Sequence, residues 1–287
     1  MNKEVFHLLE GVSNATLTAY VQDASLDLLV QRLRPAMIIC PGGGYVGIAE
    51  KEAEPVAMRF LSAGYQVFIL RYSIGFGIGR LPAPFVDAAN SVKLVRENAA
   101  RWGIDADKIG ICGFSAGGHV AAVLATSWQE AYLSEALNTK NETFKPNALV
   151  LCYPMLELEQ FNEKNKVKVP QMGPLLETMF GSLFGTVNPS KIQLDAWNCS
   201  KRVSKWMPPT FIWTTSEDAL IHIEVTTQFM KALASHQVPY EFHVFAKGDH
   251  GLSLGDQTVG YSDSVIKKQI NAHKWMDLAI TWLEQSI

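Results

Sequence analysis

Lys108-Ile109-Gly110-Ile111-Cys112-Gly113-Phe114-Ser115-Ala116-Gly117-Gly118-His119, KIGICGFSAGGH, changes character in its middle. Up to Phe114 the run is apolar and β-rich, and from Ser115 to about Ser127 it is Ala-rich and helical in pattern. At the junction Gly113-Phe114-Ser115-Ala116-Gly117 fits G-x-S-x-G, a serine on a sharp strand-to-helix turn. Such a serine adopts strained backbone angles, and small residues two before and two after it let the chain turn without side-chain collision. It is then exposed at a helix N-terminus, where the N–H of Ala116 points at the same space. A plainer reading is a Gly/Ser turn in which the serine caps the helix, so the rest of the chain must decide.

Outward from this junction, short β-rich runs alternate with longer helical patterns. Before it lie PAMIIC, a helix near Pro55 to Ser62, YQVFILRY, and a long helix from about Pro84 to Trp102. In that helix Phe85, Ala88, Val92, Val95, Ala99 and Trp102 recur at spacings of three and four, one buried stripe. After it come ALVLCYP, PPTFIWTTS, a helix near His222 to His236, YEFHVFA, and a last helix from about Val265 to Gln285. The alternation predicts an α/β fold with a mostly parallel central sheet and helices on both faces. The opening runs ATLTAYVQD and LDLLVQ read as two strands, an antiparallel hairpin at one edge. Between about 155 and 207 the alternation stops, which predicts an inserted cap segment on a single domain spanning 1–287. There Leu175, Leu176, Met179, Phe180, Leu183 and Phe184 form an apolar stripe, set either against the body or as a lid over a pocket.

Bulk properties narrow the function classes. The chain is 48% hydrophobic and 18% charged with a net charge of −3, and no Lys/Arg block stands out. Neither a nucleic acid nor an anionic membrane surface is an expected partner. The first ten residues lack the apolar run of a signal peptide and no run of about 18 apolar residues occurs, so a cytoplasmic location is expected. Cys40, Cys112 and Cys152 sit near the ends of separate strand-like runs, Cys199 stands alone, and no C-x-x-C occurs. Reduced, buried thiols are expected, with neither a disulfide framework nor a metal site, and no cofactor.

A serine needs a base within hydrogen-bond reach, itself oriented by a carboxylate. Of seven histidines, His7 lies in the N-terminal tail, His119 one turn along the Ser115 helix, His222, His236 and His273 in helical patterns, and His243 inside a strand. His250, in the glycine-flanked Lys247-Gly248-Asp249-His250-Gly251, follows the last strand, at the sheet edge where α/β folds gather catalysis. Between serine and histidine, Glu217 and Asp218 come immediately after PPTFIWTTS, and either suits the acid.

A second glycine cluster, Ile39-Cys40-Pro41-Gly42-Gly43-Gly44-Tyr45-Val46-Gly47, has two chemistries open to it. Gly42, Gly44 and Gly47 match the G-x-G-x-x-G of a dinucleotide-binding turn. That turn needs its helix to start at once so that a pyrophosphate meets the helix N-terminus, whereas Pro55 marks a later start. Glu50, Glu52 and Glu54 would repel the phosphates, and the next strand ends at Arg71-Tyr72 without a ribose-binding acid. The alternative is a loop whose bare N–H groups face a developing oxyanion, with Gly47 an incidental match.

PGGGY, GFSAGGH, PPTFIWTTSEDALI and FAKGDHGLSL, in this order, resemble the α/β-hydrolase superfamily, and more closely its small esterases related to acetyl xylan esterases and the hormone-sensitive-lipase group. The resemblance implies an α/β-hydrolase fold with Ser115 as nucleophile, His250 as general base and Asp218, rather than Glu217, as orienting acid. It places oxyanion donors at the N–H groups of Gly43, Gly44 and Ala116. One departure is plain, since Pro41 stands where the lipase-like loop often has histidine, and the loop must be braced otherwise. The implied activity is hydrolysis of short acyl esters such as acetyl groups on sugars or oligosaccharides, in a chain that allows a homodimer.

Proteins resembling this one are often labelled sugar hydrolases or xylanases, but a glycosidase sets two carboxylates about 5 to 10 Å apart across the bond. Glu217 and Asp218 are adjacent, and a charged loop leading to a helix accounts for Glu50, Glu52 and Glu54. The rival functions are a peptidase or an arylformamide hydrolase on the same fold, a noncatalytic hydrolase-like binding protein, and a dinucleotide oxidoreductase.

Overall fold

A computed structural model describes residues 1–9, 11, 13–23, 33–161, 173–268 and 271–287. Its eight-stranded sheet has the order β1-β2-β4-β3-β5-β6-β7-β8. The strands are β1 (Asn2–His7), β2 (Thr16–Val21), β3 (Arg34–Cys40), β4 (Gln66–Arg71), β5 (Ile104–Phe114), β6 (Ala148–Cys152), β7 (Thr210–Thr215) and β8 (Tyr240–Phe245). β1 and β2 pair antiparallel, as do β2 and β4, and every pairing from β4 to β8 is parallel.

Burial follows from the parallel pairing. Ala36–Cys40, Ile109–Phe114, Ala148–Cys152 and Thr210–Thr215 are buried throughout, because helices cover both faces of the central strands. Successive side chains still face opposite ways. Ile38, Ile111, Leu149 and Leu151 join one core cluster, while Ile39, Cys112, Val150 and Cys152 join the other. The edges β1 and β8 carry only exposed and half-buried side chains, as strands open to water do.

The helices are α1 (Glu54–Ser62), α2 (Ala83–Glu97), α3 (Ala99–Trp102), α4 (Ser115–Ser127), α5 (Ala131–Leu137), α6 (Gly173–Phe184), α7 (Lys191–Asp195), α8 (Cys199–Arg202), α9 (Ile223–Ser235), α10 (Asp263–Lys268) and α11 (Trp275–Ser286). Ala116 to Ala125 of α4 are all buried, so this helix is the covered centre of its layer. No described helix is long and apolar enough to cross a membrane.

Three expectations need correction. β2 pairs with Asn2–His7, a segment expected to be a tail, whose Lys3 and Glu4 suit an exposed edge strand. The expected partner LDLLVQ lies outside the described residues. The long helix from Pro84 is interrupted at Asn98, and α3 then closes at Gly103 in the left-handed conformation, φ 61°. The last helix is broken as well: a turn at Asn271 and a 3-10 turn at Ala272–Lys274 lie between α10 and α11.

Strand order reverses between β3 and β5, and an open parallel sheet has its crevice at the C-terminal ends of the strands on either side of such a reversal. The Gly42–Gly44 loop leaves β3 there and Ser115 follows β5, while Asp218 and His250 come from the loops after β7 and β8.

Candidate active site

Ser115 has φ 48°, a strained angle for a residue with a side chain. The turn survives because its neighbours are glycines. A Cβ on Gly113 would lie 2.4 Å from the Gly117 carbonyl oxygen, and one on Gly117 would lie 2.0 Å from that of Cys40. The turn thus presses α4 against the end of β3 and brings the serine beside the glycine loop.

The loops after β7 and β8 complete the arrangement. His250 Nε2 lies 2.8 Å from Ser115 Oγ, and its Nδ1 lies 2.8 Å from Asp218 Oδ2. The buried Asp218 is held by the N–H groups of Leu220 and Ile221, which donate to its Oδ1 at 2.9 and 2.8 Å. A carboxylate only accepts, so Nδ1 carries the proton and Nε2 offers its lone pair to the Ser115 hydroxyl. Glu217, the other acid considered, is exposed and pairs instead with Lys247.

Gly43 and Gly44 have φ of 127° and 63°. A Cβ on Gly43 would lie 2.1 Å from the Gly47 carbonyl oxygen, so only glycine fits that turn. The Gly43 carbonyl accepts the N–H groups of Val46 and Gly47, and the Gly42 carbonyl accepts that of Ala49. Among the described residues, no acceptor takes the N–H groups of Gly43 or Gly44, while that of Ala116 lies in the unpaired first turn of α4. Gly47 has no positive φ, and nothing lies within 4 Å of where its Cβ would be.

The loop carrying Pro41 is braced at three points, none of which was expected from sequence. The Tyr72 hydroxyl donates to the Pro41 carbonyl at 3.0 Å. Tyr45, at φ 60°, donates its hydroxyl to His119 Nδ1 at 2.8 Å, and His119 Nε2–H donates to the Trp197 carbonyl at 2.8 Å. Burial lowers the His119 pKa to about 4, so its ring is neutral, as this pair of bonds requires. Third, Glu52 accepts the N–H of Gly42 at 2.7 Å and the Tyr153 hydroxyl at 2.7 Å.

The sequence puts Glu52 on a charged approach loop, and here the structure corrects the expectation. Glu50 and Glu54 do pair with Arg71, half in water, whereas Glu52 is only 2% exposed. Its local sequence, Glu-Lys-Glu-Ala-Glu, carries no mark that separates the middle acid from its neighbours.

A cavity of about 290 Å³ opens over Ser115. Gly43, Gly44, Ser115 and His250 lie on its polar side, while Phe161, Leu175, Leu176 and Met179 supply apolar wall from the segment after Met155, and Leu220 and Ile221 from the loop after β7. The apolar stripe of α6 therefore lines the pocket as well as packing on the body.

A family model described as BD-FAE matches residues 26–233. The chain is 30% identical over 225 residues to endo-1,4-beta-xylanase B of Butyrivibrio fibrisolvens, an alignment covering 78% of this chain and 33% of that protein. It spans between a third and about half the length of the curated relatives it matches. Among solved structures it is similar to MGS-M1, an α/β hydrolase from a Medee basin deep-sea metagenome library, with 33% identity, a TM-score of 0.75, and 100% and 98% of the two chains covered. It is also similar to the acetyl ester-xyloside bifunctional hydrolase of Caldicellulosiruptor lactoaceticus, with 31% identity, a TM-score of 0.74, and 94% and 88% covered.

Proposed function

The chain belongs to the BD-FAE family on an α/β-hydrolase fold, and from that premise we propose that it is a serine carboxylesterase acting on short acyl esters. The carrying observation is the linked set Ser115–His250–Asp218, at 2.8 Å for each contact, facing a loop of unpaired N–H groups. In this mechanism Ser115 Oγ attacks the acyl carbonyl carbon as His250 Nε2 takes the hydroxyl proton. The negative oxygen forms among the N–H groups of Gly43, Gly44 and Ala116, and Asp218 holds the imidazolium. Collapse of the tetrahedral intermediate expels the alcohol, which receives the proton from His250. Water, activated by the same histidine, then hydrolyses the acyl-enzyme and frees the acid.

Cavity size and lining support a short acyl group. About 290 Å³ lies at the low end of the range for small-molecule sites, and the wall nearest α6 is apolar. We propose an acetyl or similarly short acyl on a sugar or oligosaccharide, a choice supported by the acetyl ester named for the Caldicellulosiruptor protein. Ester rather than glycosidic cleavage is favoured by how the two buried carboxylates nearest Ser115 and His250 are committed. Asp218 is bonded to His250, Leu220 and Ile221, and Glu52 to Gly42 and Tyr153, so neither is free to protonate a glycosidic oxygen.

With p-nitrophenyl acetate, Ser115→Ala is expected to lower kcat by about 10⁴-fold or more. Hydrolysis at the wild-type rate by that variant refutes the mechanism. Rates are expected to fall from acetyl to octanoyl esters, and a maximum at octanoyl overturns the acyl-length assignment.

A further inference from the structure

Glu52 is buried beside the hydrolytic centre and has no role in the Ser115–His250–Asp218 set. Its two oxygens face two donors. Oε2 accepts from Gly42 N, which can only donate, and Oε1 accepts from the Tyr153 hydroxyl. Tyr153 has little choice of direction, because its oxygen already accepts the N–H of Ser253 at 2.8 Å. A carboxylate accepts from both partners at once, whereas a neutral acid or an amide would turn a donor toward one of them. The Tyr153 ring also stands edge-on to the His250 imidazole, with centroids 5.1 Å apart. Gly42 immediately precedes the two residues with free N–H groups, and its missing Cβ would lie 2.7 Å from Glu52 Oε2 and 3.0 Å from Ser115 Cβ.

We propose that ionised Glu52 is a positioning residue of the esterase site: it fixes the Gly42 peptide so that the Gly43 and Gly44 N–H groups stay aimed over Ser115, and through Tyr153 it ties that loop to the one carrying His250. This role rests on the esterase reading above. A carboxylate bonded to a backbone N–H at 2.7 Å makes a strong, directional, charge-assisted contact. It therefore replaces the side-chain brace that proline at position 41 cannot supply. The N–H groups it aligns act on charge present in the transition state and absent from the bound ester, so its loss is felt in kcat and not in KM.

The test compares wild type, Glu52→Gln and Tyr153→Phe with p-nitrophenyl acetate, with reactive serines counted by a fluorophosphonate probe so that rates refer to competent sites. Glu52→Gln is expected to lower kcat per labelled site about 10- to 100-fold with KM within about twofold, the smaller range for a weakened oxyanion loop. Affinity for phenylboronic acid, whose tetrahedral adduct needs the same N–H groups, is expected to fall in parallel. A merely structural Glu52 predicts a lower unfolding temperature with kcat per site unchanged, and that result overturns the proposal. Should Glu52→Gln fail to fold, Tyr153→Phe decides: a several-fold loss of kcat at constant KM supports the role, and an unchanged kcat refutes it. Wild type that takes the probe nowhere and hydrolyses no ester in an acyl series removes the esterase reading itself, an outcome distinct from an active wild type matched by its Glu52 variant.

Discussion

His119 lets the coupling between the glycine loop and the body be measured as a pH dependence of stability. It is fully buried, accepts from Tyr45 and donates to Trp197, and burial lowers its pKa from 6.5 to about 4. The unfolded chain therefore takes up a proton near pH 6.5 and the folded chain only near pH 4. Stability held above pH 6.5 is lost as the pH falls through that window, because protonation favours the unfolded state. One pKa unit is worth about 1.4 kcal/mol, so the whole interval amounts to about 3 kcal/mol, of which about 2 kcal/mol is gone by pH 5. Arg202 adds to the depression from the α8 side, and the Trp197 carbonyl opposes it.

The variant His119→Gln removes this titration while keeping a polar side chain in the space. Urea unfolding followed by tryptophan fluorescence at pH 7.5 and pH 5 then gives four free energies. The other titrating groups are common to both proteins and cancel in the comparison. Wild type is expected to lose about 2 kcal/mol more than the variant between the two pH values. Equal losses refute the argument, since they mean that His119 charges at the same pH folded and unfolded.

Four further outcomes follow from the same geometry. Gly43→Ala forces a Cβ to within 2.1 Å of the Gly47 carbonyl, so turnover of p-nitrophenyl acetate per labelled serine should fall by about 10²-fold or more, and an unchanged rate shows the turn to be dispensable. Gly117→Ala meets the Cys40 carbonyl at 2.0 Å and should lower unfolding stability by about 3 kcal/mol, readable by chemical denaturation; a loss under half that value means the turn relaxes freely. Burial raises the Glu52 pKa against the opposing hydrogen bonds from Tyr153 and Gly42 and the charges of His250 and Lys51, so between the ordinary carboxylate value and the raised one the native state holds a proton that the unfolded chain has released, and above that window the native carboxylate is ionised. Wild type should then lose stability relative to Glu52→Gln as pH rises from about 4.5 through that raised pKa, and a constant difference across pH contradicts it. Met179→Ala widens the apolar wall of the cavity and should raise the ratio of hexanoyl to acetyl ester turnover about 10-fold, whereas an unmoved ratio places the acyl group elsewhere.

What could be seen in the sequence, and what could not, divides by the range of the interactions involved. The turn at Ser115 was legible because its demands are local: Gly113 and Gly117 are needed within two residues of the serine, and α4 begins at Ser115 as its pattern implies. The central strands were legible because helices on both faces leave them uniformly apolar. The carboxylate that meets His250 was half legible. Glu217 and Asp218 are equivalent by position after β7, family resemblance preferred Asp218, and what separates them physically is that Lys247 meets one while His250 meets the other. β1 was missed because Lys3 and Glu4 beside Val5 and Phe6 give no period-2 alternation, so the segment resembles a tail until β2 is beside it.

Glu50, Glu52 and Glu54 make the limit sharpest. Three identical side chains at alternate positions meet two different environments: Glu50 and Glu54 reach Arg71 at the end of β4, while Glu52 turns inward to Gly42, ten residues back. Its second partner, Tyr153, is 101 residues away and reaches it because β6 lies beside β5, so that the strand ends bring Tyr153 and Ser115 to one crevice. A residue whose importance comes from the register of a parallel sheet carries no periodic or local sign. The general consequence is that the residues Ser115, Asp218 and His250, which meet in one crevice, can be found from motif and strand order, whereas the contacts that hold the Gly42–Gly44 loop in place emerge only when distant strand ends are set side by side.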